Sequence, residues 1–428
     1  MHRTLERLTT PAYQTMLQQC IHCGMCLQAC PTYHVFGTEM DSPRGRIVFL
    51  QAAANGAIDQ DGLSLLTTHL DRCLGCRACE PACPSNVQYG RLLEEARIAL
   101  QQQQTPGLAE RFVRWIGLDL LLPHRQRLKR LAWLCWFYQI CRLQSLVRAS
   151  GWLPEPLNAM EQILPPIIPR YRRDGQRAPA LGTYRGRVGF FAGCVQEAFL
   201  APVNEASIRV LQRNGFEVVE PSAQTCCGAA HIHLGAEAQA QELARRNIDA
   251  FTAQPVDAIV TNAGGCGLML KEYAHLLKDD PVYAQKAAAL VARTYDIHAF
   301  LAEHLYVPPT GRLTARVAYV DSCHLRHGQR VIQQPRSLLR LIPGVELVDL
   351  HYPDRCCGSA GVYNITQIAT ARTILDAKMD DIRQTNATMI ATSNTGCHLQ
   401  LIAGSRQSGL ALPVHHVVEV LEQSYQQG

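Results

Sequence analysis

The sequence predicts a multidomain chain of the α+β and α/β classes, in which a helical N-terminal domain precedes two repeated α/β units. Three observations support this fold. Two four-cysteine runs of equal spacing lie within residues 20–84, a basic and aromatic-rich stretch follows, and four further cysteines then recur at offsets of 129, 130, 130 and 131 residues. The predicted boundaries of the four regions are 1–105, 106–185, 186–310 and 311–428.

The two runs have the spacing C-x2-C-x2-C-x3-C-P, in Cys20-Cys23-Cys26-Cys30-Pro31 and Cys73-Cys76-Cys79-Cys83-Pro84. This spacing is typical of paired [4Fe–4S] clusters in bacterial ferredoxins, where the fourth cysteine of each run binds the other cluster. A ferredoxin-like domain is therefore predicted over 1–105. One cluster is expected on Cys20, Cys23, Cys26 and Cys83, and the second on Cys73, Cys76, Cys79 and Cys30. Zinc knuckles also use C-x2-C pairs, but two zinc sites need no third step and no shared fourth ligand.

The composition, with 47% hydrophobic and 18% charged residues among 428, fits a globular protein with several cores. The chain opens MHRTLERLTT without an apolar signal stretch and carries 18 cysteines, which predicts reduced thiols in a cytoplasmic compartment and argues against a disulfide framework. The longest mainly apolar stretch, Leu131 to Cys141, is about half of the roughly 20 residues that a membrane-spanning helix needs. A net charge of +5 gives no indication of nucleic-acid binding, but it suits an acidic partner or an anionic membrane surface.

Two helices are predicted between the cysteine runs, after Ser42-Pro43-Arg44-Gly45-Arg46. Arg44 and Arg46 either reduce the negative charge of thiolate-bound clusters, pair with carboxylates of a partner, or form an ordinary basic loop.

Residues 94–150 are predicted to be helical, and Arg111 to Arg148 form a basic, aromatic-rich amphipathic segment. Such a segment either lies at a bilayer interface or packs as a helical hairpin between domains. Cys135 and Cys141 lack ligand spacing and are interpreted as small core residues. The Pro-rich stretch that follows predicts an extended linker ending near residue 185.

The repeat begins with the buried strand RVGFFAGC, and each half alternates strands with helices. Such alternation predicts parallel sheets with sites at the carboxyl ends of the strands. The first half gathers Cys194, Cys226, Cys227 and Cys266, and the second gathers Cys323, Cys356, Cys357 and Cys397. All but the paired cysteines are expected at strand ends. Four thiolates hold either zinc or an iron–sulfur cluster, and a structural cysteine set or a redox disulfide is the remaining alternative. Gly228 and Gly358 are expected where a side chain would crowd a bound cofactor.

The C…CCG…C halves resemble the cysteine-rich CCG domains of heterodisulfide reductases and related respiratory proteins. Behind a two-cluster ferredoxin domain they resemble, over nearly the whole chain, the iron–sulfur subunits of glycolate oxidase (glycolate dehydrogenase). The supporting stretches are CIHCGMCLQACPTY, SPRGRI, CLGCRACEPACPSNVQYG, TCCGAAHIHL, DSCHLRHGQR, CCGSAGVYNIT and NTGCHLQL. Anaerobic glycerol-3-phosphate dehydrogenase small subunits and lactate-utilisation proteins share this layout.

The resemblance implies an electron-transfer subunit that works with an FAD-containing dehydrogenase subunit oxidising glycolate to glyoxylate. It also implies a membrane quinone as acceptor and a peripheral position on the cytoplasmic face. Lactate and glycerol 3-phosphate are the rival substrates, and a heterodisulfide-type reductase acting at the CCG sites is the rival reaction. The sequence has no G-x-G-x-x-G after a strand and no G-x-x-x-x-G-K-[ST], so no flavin or nicotinamide site is expected on this chain.

One departure from the CCG pattern concerns the last cysteine, which many CCG domains extend to C-x-x-C. Met269 and Gln400 occupy that position here, which removes a fifth thiolate from each half. This puts a cluster with five cysteine ligands, and thiol–disulfide chemistry, in doubt. Met269 is interpreted as a core residue. Nearby histidines are expected to be structural, with nitrogen ligation, hydrogen bonding to sulfur or protonation of a quinone as alternatives: His231, His233, His324, His327 and His398.

Overall fold

The structure is a computed structural model that describes residues 5–101, 107–172 and 175–428. Its N-terminal part is helical, and the predicted boundary between residues 105 and 106 lies outside the described residues. Prolines begin the first three helices, where a fixed φ and a missing N–H cost nothing. The helices are α1 (Pro11–Gln18), α2 (Pro31–Phe36), α3 (Pro43–Ala54), α4 (Gln60–Asp71) and α5 (Tyr89–Gln101), with a 3₁₀ turn at Glu39–Asp41.

The helices of this part close around their own core, which includes Leu17, Leu50, Leu66 and Leu92. The predicted pair of helices between the cysteine runs is confirmed by α3 and α4, which connect the two cysteine loops across this core. The core fixes the distance between the loops because both helices are buried against it.

A helical segment follows, with α6 (Leu108–Arg114), a π-helix (Trp115–Leu121), α7 (Arg125–Ile140), α8 (Leu143–Ser150) and α9 (Glu155–Gln162). The prediction of an extended Pro-rich linker is wrong at α9, because Pro154 and Pro156 stand at its cap and first turn, where proline is compatible with a helix. Cys141 is exposed and not a core residue, whereas Cys135 is half-buried.

The first α/β half contains a five-stranded sheet in the order β1-β3-β2-β4-β5, parallel except for β1. Val188 of β2 pairs with Val218 of β3 and with Ala258 of β4. The elements are β1 (Arg177–Ala178), β2 (Gly186–Phe191), α10 (Cys194–Phe199), α11 (Ala201–Arg213), β3 (Phe216–Val219), α12 (Ala229–His233), α13 (Glu237–Thr252), β4 (Ala258–Thr261), α14 (Gly264–Leu276), α15 (Ala284–Ala292), β5 (Thr294–Asp296) and α16 (Ile297–His304).

The second half has a fully parallel four-stranded sheet in the order β7-β6-β8-β9. Val317 of β6 pairs with Leu347 of β7 and with Met389 of β8, so the register repeats that of the first half. The elements are β6 (Ala315–Tyr319), a π-helix (His324–Gly328), α17 (Gln333–Arg340), β7 (Val345–Val348), α18 (Tyr363–Thr366), α19 (Ile368–Gln384), β8 (Met389–Thr392), α20 (Thr395–Gln407), β9 (Val414–His416) and α21 (Val417–Gln427). The predicted helix from about residue 365 to 384 is broken at Gln367.

The two halves pack reciprocally. Helix α11 of the first half packs on α21 of the second, and α17, the counterpart of α11, packs on α16, the counterpart of α21. Both sheets contribute to one core, in which Phe190 and Val260 lie with Val317 and Val418. The halves are therefore related by a pseudo-two-fold arrangement, as expected for self-complementary contacts.

Candidate metal centres

The two N-terminal cysteine loops adopt the same backbone conformation. His22 and Gly24 in the first loop have φ of 56° and 79°, and Gly75 and Arg77, at the same positions of the second loop, have φ of 63° and 60°. Alternating left-handed residues turn successive backbone N–H groups to one side, which creates a concavity suited to an anion. Gly24 has a left-handed φ that favours glycine, and a Cβ there would lie 2.6 Å from Nη1 of Arg44, so a side chain would displace the end of that arginine. Both loops are thus shaped for a negatively charged group.

A small pocket brings together the four cysteines predicted for the first cluster. Its lining includes Cys20, Cys23, Cys26 and Cys83, together with Arg44. Cys23 is exposed and the other three are half-buried. Burial raises the pKa of Cys20 and brings that of Cys26 to about 11, so these thiols stay protonated unless a cation compensates the thiolates.

The cysteines predicted for the second cluster are buried together. Cys30, Cys73, Cys76 and Cys79 are each less than 10% exposed. Burial raises the pKa of Cys76 and of Cys79 well above the usual value, and the neighbouring cysteine sulfurs add to this. Tyr89 Oη lies 3.8 Å from Cys73 Sγ as a donor. This site is closed to solvent, unlike the first.

A buried polar network supports the second site. Arg46 is fully buried and donates to Thr32 Oγ1 at 3.1 Å from both terminal nitrogens. Thr32 Oγ1 lies 3.2 Å from Cys30 Sγ and donates to the Asp41 carbonyl. The Asp41 carboxylate lies 3.5 Å from Arg46 Nη2 and 2.8 Å from His69 Nδ1. Burial disfavours the charged carboxylate, but the hydrogen bonds from His69 and Thr38 outweigh it and hold the pKa of Asp41 below its usual value.

The cysteines of the first half form a row of contacting sulfurs. The Cys226 thiol interacts with those of Cys194 and Cys227, and the Cys227 thiol interacts with that of Cys266. The contacts from Cys194 and Cys227 hold the pKa of Cys226 well below its usual value, and the same contacts raise the pKa of both neighbours. His231 also lies against the Cys226 sulfur.

The second half repeats this row, in the order Cys323, Cys356, Cys357 and Cys397. Asn394 Nδ2 donates to Cys397 Sγ at 3.6 Å, and its Oδ1 accepts from the Gly265 N–H at 2.9 Å. One amide thus connects the two halves beside their cysteine rows.

The second half meets the N-terminal domain at the sulfurs. Cys76 and Cys356 lie in one apolar cluster, and Cys323 is the neighbouring ionisable group that most raises the pKa of Cys76, after burial itself. Tyr363 Oη donates to the Arg72 carbonyl at 2.9 Å, and His324 Nε2 donates to the Gly75 carbonyl at 3.1 Å. Both contacts hold the second cysteine loop against the second half.

The other histidines bind backbone carbonyls. His327 Nε2 lies 3.1 Å from the Asp354 carbonyl, and His398 Nε2 lies 3.0 Å from the Val414 carbonyl. Burial lowers the pKa of His324 and of His398 to about 4, so both rings are neutral. His233 packs edge-on to His324 with ring centroids 5.7 Å apart. A structural role therefore fits these four rings.

Met269 and Gln400, at the positions of the missing thiolates, have different surroundings. Met269 is buried in the core of the first half, as the sequence predicts. Gln400 Oε1 accepts from Asn364 Nδ2 at 2.8 Å.

The prediction that the single cysteines stand at strand ends is wrong by a few residues. Cys194 is the first residue of α10, and Cys266 and Cys397 are third in α14 and α20. The short loops after β2, β4 and β8 bring these helix starts to one edge of each sheet, so the sulfurs still meet.

The structure gives a packing reason for the glycines after the paired cysteines. Gly228 and Gly358 have φ of 89° and 84°. A Cβ on Gly358 would lie 2.5 Å from the Ala371 carbonyl, and one on Gly228 would lie 3.4 Å from Ala240. The neighbouring helix backbone excludes a side chain at Gly358, and the left-handed φ favours glycine at both positions.

Sequence reasoning missed Asn394, Thr32 and Asp41. Asn394 departs from the repeat, since Ala263 holds its position in the first half, and this difference is the signal that identifies it. Thr32 and Asp41 carry no such signal, because they reach Cys30 only through the fold.

The donor sets fit iron–sulfur chemistry. Buried thiolates are soft ligands, and their combined negative charge requires a cationic partner. Within the described ranges, no three Cys, His, Asp or Glu side chains converge as ligands of one metal ion. A [4Fe–4S] cube instead spreads four thiolates over four irons. No helix in the described part of the chain is long and apolar enough to span a bilayer.

Comparison with family models confirms the iron–sulfur and repeat predictions. A 4Fe-4S dicluster domain matches residues 16–87, and a cysteine-rich domain, CCG, matches 188–271 and 317–402. The linker region of glycolate oxidase iron-sulfur subunits matches 109–164.

Among known proteins, the probable glycolate oxidase iron-sulfur subunit of Bacillus subtilis (strain 168) is 43% identical over 95% of this chain and 93% of its own length. The glycolate oxidase iron-sulfur subunit of Escherichia coli (strain K12) is 34% identical over 96% of this chain and 94% of its own. Lactate utilization protein A of Geobacillus sp. (strain WCH70) is 31% identical over 55% of this chain and 98% of its own.

Proposed function

Because the chain belongs to the family of glycolate oxidase iron–sulfur subunits, and so is a subunit of an oxidoreductase complex, we propose that it transfers electrons from a flavoprotein subunit oxidising glycolate to a membrane quinone. Oxidation of glycolate to glyoxylate releases two electrons and two protons. A flavin takes one proton with both electrons as a hydride, and a quinone takes up two electrons and two protons. The flavoprotein is therefore a separate FAD-containing subunit, and this chain connects it to the acceptor.

We assign one [4Fe–4S] cluster to Cys20, Cys23, Cys26 and Cys83, and a second to Cys73, Cys76, Cys79 and Cys30. When bound, such a cluster accepts and donates one electron at a time. The shared pocket of the first set and the common burial of the second set support this pairing.

The observation that carries the proposal is the contact of Cys76 with the second half. Cys76 lies in one apolar cluster with Cys356 and Cys323, and its thiol interacts with both of theirs. We propose that the second-half cysteines hold the next redox centre, since two thiolate sites that share a boundary are close enough for direct electron transfer.

The first cysteine loop is the proposed face for the flavoprotein. Ile21 and Met25 are exposed on either side of Cys23, which is itself exposed. An apolar rim around an accessible cysteine site suits a protein partner. The second cysteine set offers no such access.

We propose that the helical segment lies peripherally on the cytoplasmic surface of the membrane. Trp133, Leu134, Phe137 and Ile140 of α7 are each at least half exposed. On the neighbouring side of α7, Arg125 and Lys129 are buried in ion pairs with Glu197 and Glu220. Exposed aromatic rings beside buried ion pairs suit contact with an apolar medium. The exposed Arg127 and Arg130 suit contact with anionic headgroups.

The test is anaerobic purification of the chain with iron, zinc and sulfide counted, followed by electron paramagnetic resonance with glycolate, lactate or glycerol 3-phosphate, with and without the flavoprotein. We expect more than about eight irons, four for each cubane and a remainder for the CCG cysteines. Reduction should require both glycolate and the flavoprotein.

Oxidation of glycolate by the chain alone, or reduction by lactate in place of glycolate, would overturn the assigned role or substrate. Eight irons with two zincs would overturn the second-half redox centre. Cys76→Ser should remove the second cluster signal, whereas Cys135→Ser is the matched control, because Cys135 lies outside every cysteine set.

A further inference from the structure

His231 differs from the other histidines near the cysteines in where its ring lies. The side chain is fully buried in α12, and the imidazole lies against the Cys226 sulfur. Nε2 lies 2.9 Å from the Leu118 carbonyl, which only accepts, so Nε2 carries the proton. In the neutral ring, Nδ1 then holds the free lone pair.

This nitrogen has no other partner. Among the residues that the structure describes, buried Nδ1 has no hydrogen-bond partner of any kind. A buried polar atom without a partner is destabilising unless a ligand satisfies it. Metal-binding histidines commonly donate the second ring N–H to a backbone carbonyl, which fixes the tautomer and aims the free nitrogen at the metal. His231 has that arrangement.

We propose that His231, through Nδ1, is a further ligand of the metal centre held by Cys194, Cys226, Cys227 and Cys266. The inference rests on the proposal that the CCG cysteines bind metal. It supplies a fifth donor in the half whose fifth thiolate position is Met269.

The second half has no such donor at the equivalent place. Gly361 stands where the repeat aligns with His231. A neutral imidazole adds no charge to the four thiolates, so the two centres differ in ligand set and not in net thiolate charge. The two halves therefore hold unequal centres.

The test is pulsed electron paramagnetic resonance on the full chain, purified anaerobically with ¹⁵N only in histidine. We expect a nitrogen coupling in the wild type that His231→Gln abolishes. His398→Gln is the matched control, since His398 is also buried and binds a backbone carbonyl but contacts no sulfur. Its coupling should equal that of the wild type.

His231→Cys keeps the test decisive if the glutamine variant loses metal, because a thiolate can replace the imidazole. That variant should retain the wild-type metal count and lose the coupling. If zinc fills the site, zinc-edge X-ray absorption should show one nitrogen at about 2.0–2.1 Å beside sulfur at about 2.3 Å, lost in the same variants. If the CCG half contains metal but the His231 variants change neither the nitrogen coupling nor the X-ray scattering, the assignment of His231 as a ligand is wrong. If that half contains no metal, the proposal that its cysteines bind metal is wrong.

Discussion

At the scale of single residues, Arg44 and Arg46, which follow Ser42, lie in different environments. This difference separates the roles that the sequence leaves open for them. Arg44 is on the surface, where it pairs with Glu39 and donates to the His22 carbonyl. Arg46 is completely buried and acts through Thr32 beside Cys30. Of these two arginines, only Arg46 is shielded from water near a thiolate site, so water screens its charge less.

We expect Arg46→Gln to lower the reduction potential of the second cluster, because a buried positive charge favours the added electron. Arg44→Gln, the matched control, should shift the first cluster less, since water screens an exposed charge. Anaerobic redox titration followed by electron paramagnetic resonance measures both. The variant at Arg46 should also lose about 3–5 kcal/mol of stability, the cost of breaking a buried ion pair. Equal shifts in the two variants would contradict this account.

At the scale of elements, α21 begins with a capping box that belongs to the contact between the halves. His416 N–H donates to Glu419 Oε2 at 2.8 Å, and His416 Nε2 donates to the Asn262 carbonyl of the first half at 2.8 Å. Burial raises the pKa of Glu419 to about 7, against the opposing hydrogen bond from His416. The folded protein therefore binds a proton here that the unfolded chain releases nearer pH 4.5.

Stability should fall as the pH rises from about 4.5 to 7, by about 3 kcal/mol at most for this group. Glu419→Gln keeps the box and removes this group's part of the pH dependence, so the difference between wild type and variant isolates Glu419. Glu419→Ala also loses the cap and should be about 1 kcal/mol less stable than the glutamine variant. Denaturant unfolding under anaerobic conditions measures all three, and a glutamine variant with the wild-type pH slope would refute the assignment.

Elements are predicted well from the sequence where the pattern of apolar residues marks them, as in β2, and where a capping residue also marks the start, as in α3. It fails where proline sits in a first turn, as in α9, and where a loop of two or three residues separates a strand from a helix, as before Cys266 and Cys397. The cysteine sets follow from spacing and repeat. The burial of Arg46 and the contact between Cys76 and Cys356 do not, because both depend on how domains meet.

At the scale of the whole molecule, the exposed large apolar residues concentrate in residues 108–168. The predicted hairpin packed between domains accounts for one face of α7 only, because the aromatic face is open. The predicted amphipathic pattern also differs from the structure, since exposed arginines share a face with the rings.

We expect the double variant Trp133→Ser and Phe137→Ser to bind anionic phospholipid vesicles at least about tenfold more weakly, because burying one large apolar side chain contributes about 1.5–3 kcal/mol. Vesicle flotation measures the bound fraction. Leu341→Ser and Tyr352→Ser, which change exposed residues elsewhere, are the controls. Loss equal in both pairs of variants would show that this face does not meet lipid, and wild-type affinity that is insensitive to salt would contradict the role assigned to Arg127 and Arg130.

The two halves pack reciprocally as copies of one duplicated unit, yet the two copies differ in their surroundings. The strands and cysteine rows remain alike, while the surroundings do not: the helical segment packs on the first half through α7 and Leu118, and the ferredoxin-like domain holds the second through Arg72 and Gly75 and also pairs with Glu272 of the first. The two copies are thus distinguished both by their neighbours and by substitutions of their own, such as His231 in the first, so one duplicated fold gives its sulfurs two different environments.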